Sequence, residues 1–366
     1  MPEQSLITLE EVKSLRRHFH RYPELSFQEY KTQEFIYSYC KNLSCQIEKI
    51  KTGIMLYFGL NKLSTIAFRA EMDALPIKEK ANVEYTSNNE GVMHACGHDG
   101  HMAMLLLLAK FIHSHQEQLH NNYLLIFQPS EEVYGGSNLI IESEFFNKHL
   151  PKYIFSLHVF PTLKEGLIFY HEGPFLAMCC EIDIFIQGKA AHIYSLSEGI
   201  DANRIANLLM NKLYDYFDKL NQDNTRFLIG KINGGTQRNI VSESCSLHIT
   251  LRNFNQKDYL KQKKEIMEMI TQTEKSFNCQ IKINFNDDFA PVINDKRLIE
   301  LVKKHYDIKL TSRKIIGDDF AQYHTKCLTG YFLLGINSSF LHSANFSFDE
   351  KVLLNGLNFY QSILNI

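Results

Sequence analysis

The stretch Met93-His94-Ala95-Cys96-Gly97-His98-Asp99-Gly100-His101 concentrates residues that bind metals or move protons. A thiol at Cys96 and an imidazole at His98 flank Gly97, which lets the backbone fold tightly enough for both to face one cation. Further donors recur along the chain. Glu131-Glu132 follows Gln128-Pro129-Ser130, His158 ends the apolar run Tyr153 to Leu157, and His342 lies in Leu341-His342-Ser343. Together Cys96, His98, Glu132, His158 and His342 offer thiolate, imidazole and carboxylate donors, enough for two divalent ions with positions left open for water. Thiolate and imidazole suit zinc, while carboxylate and open positions also admit manganese, cobalt or nickel. Glu131 is then free to take a proton from water, provided that the two glutamates lie in a turn, because neighbours in a strand point to opposite faces. Pro129 favours such a turn. Asp73 joins the catalytic set, and it and Asp99 are expected to orient ligating imidazoles.

These residues need elements that deliver them to one place. Thr8-Leu9-Glu10-Glu11 fits a capping box and opens a helix through Val12, Leu15 and Phe19 that ends near Pro23. A second helical pattern runs from about Gln28 to Asn42, and strand-like runs follow at Gly53 to Phe58 and Ser64 to Arg69. Glu71 and Asp73 then sit just past a strand end, where open α/β sheets place ligands. The run Met102 to Ala109 reads as a buried helix, Tyr123 to Phe127 as a strand, Gly135 to about Asn147 as a helix and Tyr153 to Leu157 as a further strand. Successive strand ends thus present carboxylate, carboxylate and imidazole. From Ile182 the pattern becomes strand (Ile182 to Gln187), helix (Ala202 to Leu220), strands (Phe227 to Ile232, Cys245 to Arg252), helix (Lys257 to Ser276) and strand (Gln280 to Phe285). That β-α-β-β-α-β order is ferredoxin-like and reads as an inserted small domain. The closing portion returns to mixed α/β, with helices from Lys296 to Tyr306 and from Asp349 to about Leu364, an acidic turn Gly317-Asp318-Asp319-Phe320 and a strand Tyr331 to Leu334.

Bulk properties bound the reading. A chain of 366 residues exceeds the size at which single cores stop growing, so two domains are expected. With 45% apolar and 22% charged residues and a net charge of -2, it lacks the basic footprint of a nucleic-acid partner. No stretch reaches the roughly 18–20 apolar residues that cross a bilayer, and Met1 to Lys13 has no apolar signal core, so a cytoplasmic protein without a membrane partner is expected. The 8 cysteines are scattered without repeated spacing, as reduced thiols are and a disulfide framework is not.

Several ordered motifs accompany the donors: Arg16-Arg17-His18-Phe19-His20-Arg21-Tyr22-Pro23-Glu24-Leu25-Ser26-Phe27-Gln28-Glu29, Arg69-Ala70-Glu71-Met72-Asp73-Ala74-Leu75-Pro76, Met93 to His101, Phe127 to Glu132, Leu157-His158-Val159, Gly234-Gly235-Thr236, Gly317 to Ala321 and Leu341-His342-Ser343. Through these the chain resembles, over nearly its whole length, the M20 family of metallopeptidases and amidohydrolases. The similar branch holds hippurate hydrolases, auxin-conjugate hydrolases and N-acetyldiaminopimelate deacetylases. The resemblance implies a fold of class α/β, a zinc-peptidase-like catalytic domain with a mixed central sheet (1–176 and 289–366), interrupted by a ferredoxin-like lid (177–288) that makes a homodimer. It implies Cys96, His98, Glu132, His158 and His342 as ligands of two divalent ions, Cys96 as their bridge, and Glu131 as general base. It also implies that His192 reaches the carbonyl oxygen and that Asn239 and Arg252 hold substrate. For Arg252 the planar fork suits an α-carboxylate.

The chain departs from the family in three places. Ala190-Ala191 stand where relatives have glycines before the lid histidine, with a strain of about 1 kcal/mol or more expected if those positions need positive φ. Ile193-Tyr194-Ser195-Leu196 lacks a second histidine, and Glu71 replaces an aspartate. The expected activity is hydrolysis of an N-acyl amino acid. The run Glu131-Glu132-Val133-Tyr134-Gly135-Gly136 resembles the deacetylases that release diaminopimelate and acetate from N-acetyl-L,L-diaminopimelate in lysine biosynthesis. The alternatives are a broader hydrolase of hippurate or aminoacylase type, or a metal-binding module without catalysis.

Overall fold

The computed structural model of the protein describes residues 7–338 and 340–366, so the reading of Met1 to Lys13 falls partly outside the described residues. The chain divides into two compact units, one formed by Met1–Phe175, Ile293–Ser312 and Asp318–Ile366, the other by Leu176–Val292 and Arg313–Gly317.

The first unit is built on an eight-stranded sheet in the order Gln46–Ile50, Gly53–Phe58, Asn122–Gln128, Thr65–Glu71, Tyr153–Phe160, Leu328–Gly335, Ile168–Tyr170 and Lys309–Leu310. Its centre is parallel, Thr65–Glu71 pairing with both Asn122–Gln128 and Tyr153–Phe160, and the latter with Leu328–Gly335. These central strands are buried almost throughout, as the continuous apolar runs of a sheet covered on both faces require. Parallel strands share an edge for their carboxyl ends, and Glu71 lies beside Gln128 there. The helix Leu9–Arg21 begins at the expected capping box, with Glu11 N–H donating to Thr8 Oγ1 and Thr8 N–H to Glu11 Oε2, both at 3.2 Å.

Three local expectations are revised. The buried helix starts at His98, not Met102, because Gly97 at φ 88° already turns the chain into it. Glu71 is the last residue of its strand, not beyond it. The single helix expected up to Asn147 is two, Gly136–Glu142 and Glu144–Lys148, since Ser143 is extended and its hydroxyl caps Phe146 N–H at 3.2 Å.

The second unit holds a four-stranded antiparallel sheet in the order Gln280–Phe289, Met178–Gln187, Ser244–Asn253 and Thr225–Gly234, with helices Ala202–Phe217 and Gln256–Phe277. That is the ferredoxin-like arrangement. Its core includes Ile182, Ile184, Leu247 and Ile249 from the sheet and Leu209 and Ile266 from the helices. The unit also takes in Arg313–Gly317, because Ala177 N–H donates to the Lys314 and Ile316 carbonyls at 3.2 and 2.9 Å. Among the described residues, no helix is long and apolar enough to cross a membrane.

Candidate metal centre

Four turns and strand ends of the first unit supply the donors. Cys96 precedes the Gly97 turn and His98 opens the helix behind it, both buried. A Cβ on Gly97 would lie 2.4 Å from Val159 Cγ2, so the turn packs directly against the strand that carries His158. Glu131 and Glu132 lie in the bend between strand Asn122–Gln128 and helix Gly136–Glu142, where they escape strand alternation. Ser130 (φ 50°) and Tyr134 (φ 58°) are left-handed in that bend, and a Cβ on Gly136 would fall 1.6 Å from the Pro129 carbonyl oxygen. His342 also has positive φ, 61°, and is tied by its N–H to the Ala95 carbonyl at 2.8 Å. Non-glycine residues hold such conformations only where the surroundings over-determine them.

The side chains meet. Cys96 Sγ lies 3.5 Å from His158 Nε2 and 3.3 Å from His342 Nε2, and Glu132 Oε1 lies 3.3 Å from His342 Nε2 and 3.8 Å from His98 Nε2. Bonds of about 2.0–2.3 Å in tetrahedral geometry separate two ligands of one ion by roughly 3.3–3.8 Å, so these spacings suit shared cations. The tautomers agree. His98 Nδ1 is bound to the Asp73 carbonyl oxygen at 2.8 Å and His158 Nδ1 to the Val159 carbonyl at 2.7 Å, which places both protons on Nδ1 and leaves both Nε2 lone pairs for a cation. Among the described residues, His98 Nε2 and Glu132 Oε1 are buried without a hydrogen-bond partner, a costly state that a bound ion relieves. The residues present therefore fit a metal.

The electrostatics point the same way. Burial and the charges of Glu132 and Glu131 push the Cys96 thiol well up. For His98 burial acts against the charged form, but the Asp73, Glu71 and Glu132 carboxylates win and push it up to about 10. Burial, then the negative Asp318, Glu132 and Asp319, push Glu131 well above the carboxylate range. His158 goes the other way, burial and the neighbouring His101 holding it well below the ordinary imidazole range, so its Nε2 lone pair is open to a cation. A cation would replace the protons held at Cys96, His98 and Glu131.

Asp73 supports the loop and the imidazole by different atoms. Its Oδ2 accepts from Ser26 Oγ at 2.7 Å and from Glu132 N–H at 2.9 Å, while its backbone carbonyl, not its carboxylate, takes His98 Nδ1–H; Oδ1 stands 3.6 Å from that nitrogen. Asp99 does not orient a ligand. Its Oδ2 accepts from Arg16 Nε at 3.0 Å and His20 Nδ1 at 2.7 Å, because the first turn of the helix points it at Leu9–Arg21. Sequence reasoning placed Glu71 at a site edge, where it lies, but missed Arg69 and His101 as its partners and Asp319 as a partner of Arg69. The signal was an arginine and a glutamate two apart on one face of a strand otherwise rich in buried apolar residues. His101 falls within ligand distance of Glu71, His98 and His158, but both its nitrogens are used, Nδ1 at 2.8 Å from Glu71 Oε2 and Nε2 accepting from Val159 N–H at 3.0 Å.

His192, Asn239 and Arg252 belong to the second unit. Tyr194 N–H donates to His192 Nδ1 at 3.2 Å, which leaves the neutral ring's proton on Nε2; the Asn239 amide nitrogen, also a donor, lies 3.4 Å from it, so the two side chains present donors side by side. Arg252 Nη2 pairs with Glu181 Oε1 at 2.9 Å. Neither Ala190 nor Ala191 is among the described residues with positive φ, so the conditional strain at those alanines does not arise.

A profile of the family described as peptidase family M20/M25/M40 matches residues 67–366. An uncharacterized hydrolase of Staphylococcus epidermidis is 30% identical over 374 residues, covering 97% of this chain and 98% of the relative. One of Staphylococcus aureus is 31% identical over 375 residues, covering 98% of each. Among solved structures, a protein of methicillin-resistant Staphylococcus aureus assigned as an aminohydrolase superposes with a TM-score of 0.90 at 26% identity, over 97% of this chain and 95% of that one. The Bacillus subtilis YXEP protein, described as a dinuclear metal binding peptidase from the M20 family, gives 0.84 at 25% identity, over 97% of both.

Proposed function

Since this chain belongs to peptidase family M20/M25/M40 and is a metal-dependent hydrolase, we propose that it is a two-metal amidohydrolase cleaving the amide of an N-acyl amino acid. One observation carries the reading: thiolate, imidazole and carboxylate donors from distant segments converge at 3.3 to 3.8 Å, with His98 Nε2 and Glu132 Oε1 buried and unsatisfied. Cys96, His98, Glu132, His158 and His342 would hold the ions, with zinc, manganese, cobalt or nickel all compatible. When bound, such ions polarise an amide carbonyl and lower the pKa of water toward neutrality.

The chain's own residues do the rest. Glu131 accepts the proton of the attacking water as its oxygen bonds to the carbonyl carbon, and delivers it to the amine nitrogen as the C–N bond breaks. Burial and neighbouring carboxylates raise its proton affinity, and cations beside it would bring that affinity back toward neutrality. Asp73 keeps Glu132 and His98 in place through Glu132 N–H and its own carbonyl. In this reading His192 Nε2–H donates to the acyl oxygen, Asn239 steadies the substrate and Arg252 receives its α-carboxylate. Segment 177–288 acts as a lid and as the surface of a homodimer, and cysteines that form no disulfide among the described residues suit the cytoplasm.

The substrate we favour is N-acetyl-L,L-diaminopimelate of lysine biosynthesis, yielding L,L-diaminopimelate and acetate, on the likeness of the segment from Glu131 to His158 to such deacetylases. Metal-stripped protein reloaded with zinc or manganese, assayed for amine release from this compound, N-acetylmethionine and hippurate, tests it. Selective cleavage of the first supports the reading, whereas cleavage of only the others moves the function to general N-acyl-amino-acid hydrolysis. Glu131→Gln should keep its metal and lose turnover by about 10²–10⁴-fold. Near-normal activity in that variant would overturn the mechanism.

A further inference from the structure

Behind the donor set lies a buried cation that the mechanism above does not use. Arg69, on strand Thr65–Glu71, has no exposed side-chain surface and a partner on each nitrogen of its guanidinium. Nε donates to Gln128 Oε1 at 3.0 Å, Nη1 to Glu71, and Nη2 to Asp318 Oδ1 at 3.0 Å and Asp319 Oδ1 at 2.9 Å. Two chains of hydrogen bonds run from it to ligand-bearing segments. In one, Glu71 Oε2 accepts from His101 Nδ1 at 2.8 Å, and His101 Nε2 accepts at 3.0 Å from the N–H of Val159, the residue after His158. In the other, Asp319 Oδ1 accepts from Gln128 Nε2 at 2.7 Å and Oδ2 from Ser137 N–H at 3.0 Å, which ties together the two ends of the loop that carries Glu131 and Glu132.

We propose that Arg69 is a positioning residue that holds His158 and the Glu131-Glu132 loop in register, and so sets the spacing of the metal centre; this rests on the two-metal reading above. The loop has no regular structure of its own to keep it in shape, and its left-handed Ser130 and Tyr134 need outside support. Asp319 supplies that support at both loop ends, and only a cation can hold Asp318, Asp319 and Glu71 together out of water. The planar fork matters as much as the charge, because separate nitrogens face the two chains; a lysine would bring one point of charge and could not span them.

The test uses the metal-loaded protein and the variants Arg69→Lys, Asp319→Asn and His101→Leu. The affinity for each ion is measured by chelator competition, the cobalt-loaded protein by its thiolate-to-cobalt absorption, turnover by kcat and KM, and folding by melting temperature. Arg69→Lys should bind both ions about 10–100-fold more weakly, with a changed cobalt spectrum and a fall in kcat at nearly constant KM. The single-chain variants should each weaken metal binding by a smaller factor, Asp319→Asn through the Glu131-Glu132 loop and His101→Leu through the strand that carries His158. A merely structural role would lower the melting temperature and leave affinities and cobalt spectrum unchanged, and that result in Arg69→Lys would overturn the proposal. If Arg69→Lys does not fold, unchanged affinities in the other two variants would overturn it equally. Unsubstituted protein that binds no metal would instead overturn the two-metal reading, a failure visible before any variant is made.

Discussion

Replacing Gly97 by alanine asks whether backbone geometry sets the turn between Cys96 and His98. Two costs combine. A left-handed φ of 88° costs a non-glycine residue about 1–2 kcal/mol. The new methyl would also meet Val159 Cγ2 at 2.4 Å, well inside the roughly 3.5 Å of a carbon–carbon contact. Val159 is β-branched and fully buried, and its N–H is held by His101, so it yields only by leaving its rotamer or moving its strand. Such overpacking costs about 1–3 kcal/mol, for a sum of about 2–5 kcal/mol. Against a typical stability of about 5–15 kcal/mol this is severe but survivable. Because the clash involves Val159 and the φ cost does not, adding Val159→Ala should recover about 1–3 kcal/mol and leave the remainder, a non-additivity that a double-mutant cycle reads directly. Urea unfolding of the four metal-free proteins, followed by tyrosine fluorescence since the chain has no tryptophan, supplies the energies from the transition common to all four. Additive effects, or a Gly97→Ala protein as stable as the parent, would refute the reasoning.

Other outcomes follow from the same geometry. Chelation should lower the melting temperature and zinc or manganese should restore it, since an ion at 1,000 times its Kd contributes about 4 kcal/mol; an unchanged melting curve would show that the donors around His98 Nε2 hold no ion. Gly136→Ala puts a Cβ 1.6 Å from the Pro129 carbonyl oxygen, backbone that cannot yield, so the glutamate loop must be displaced. That variant should lose more than about 4 kcal/mol of stability, or fold without its metal, in a melting and metal-content assay. For His20 burial opposes the charge, but the Asp99 and Glu79 carboxylates prevail and raise its pKa above the ordinary 6.5. The protonated ring therefore contributes stability fully below about pH 6.5, and loses it as pH rises through the higher folded value. The stability gap between parent and His20→Gln should narrow from pH 6 to pH 9, and a constant gap would contradict this.

Local rules made much of this protein legible. The Thr8–Glu11 capping box, the Gly97 turn, the bend after Pro129 and the β-α-β-β-α-β order are each written in a few neighbouring residues or in one hydrophobic period, and the structure has all of them. The types of donor were equally readable, because thiol, imidazole and carboxylate are properties of single residues. What sequence could not supply is who meets whom. Asp99 was expected beside a ligand and faces Arg16 and His20 instead, since the helix begins one turn earlier and its first turn decides the direction. Arg69 finds Asp319 across 250 positions, and Arg313–Gly317 returns to the second unit after the first has resumed. A buried charge is tolerated only beside its counter-charge, and that neighbour is chosen by how distant segments pack, here the turn at Asp318 and Asp319 against strand Thr65–Glu71. Sequence by itself thus determined the local turns, the classes of element and the chemistry on offer, because these depend on neighbours along the chain. Tertiary structure alone decided the spacing of the donors and the buried guanidinium behind them, because these depend on neighbours across it.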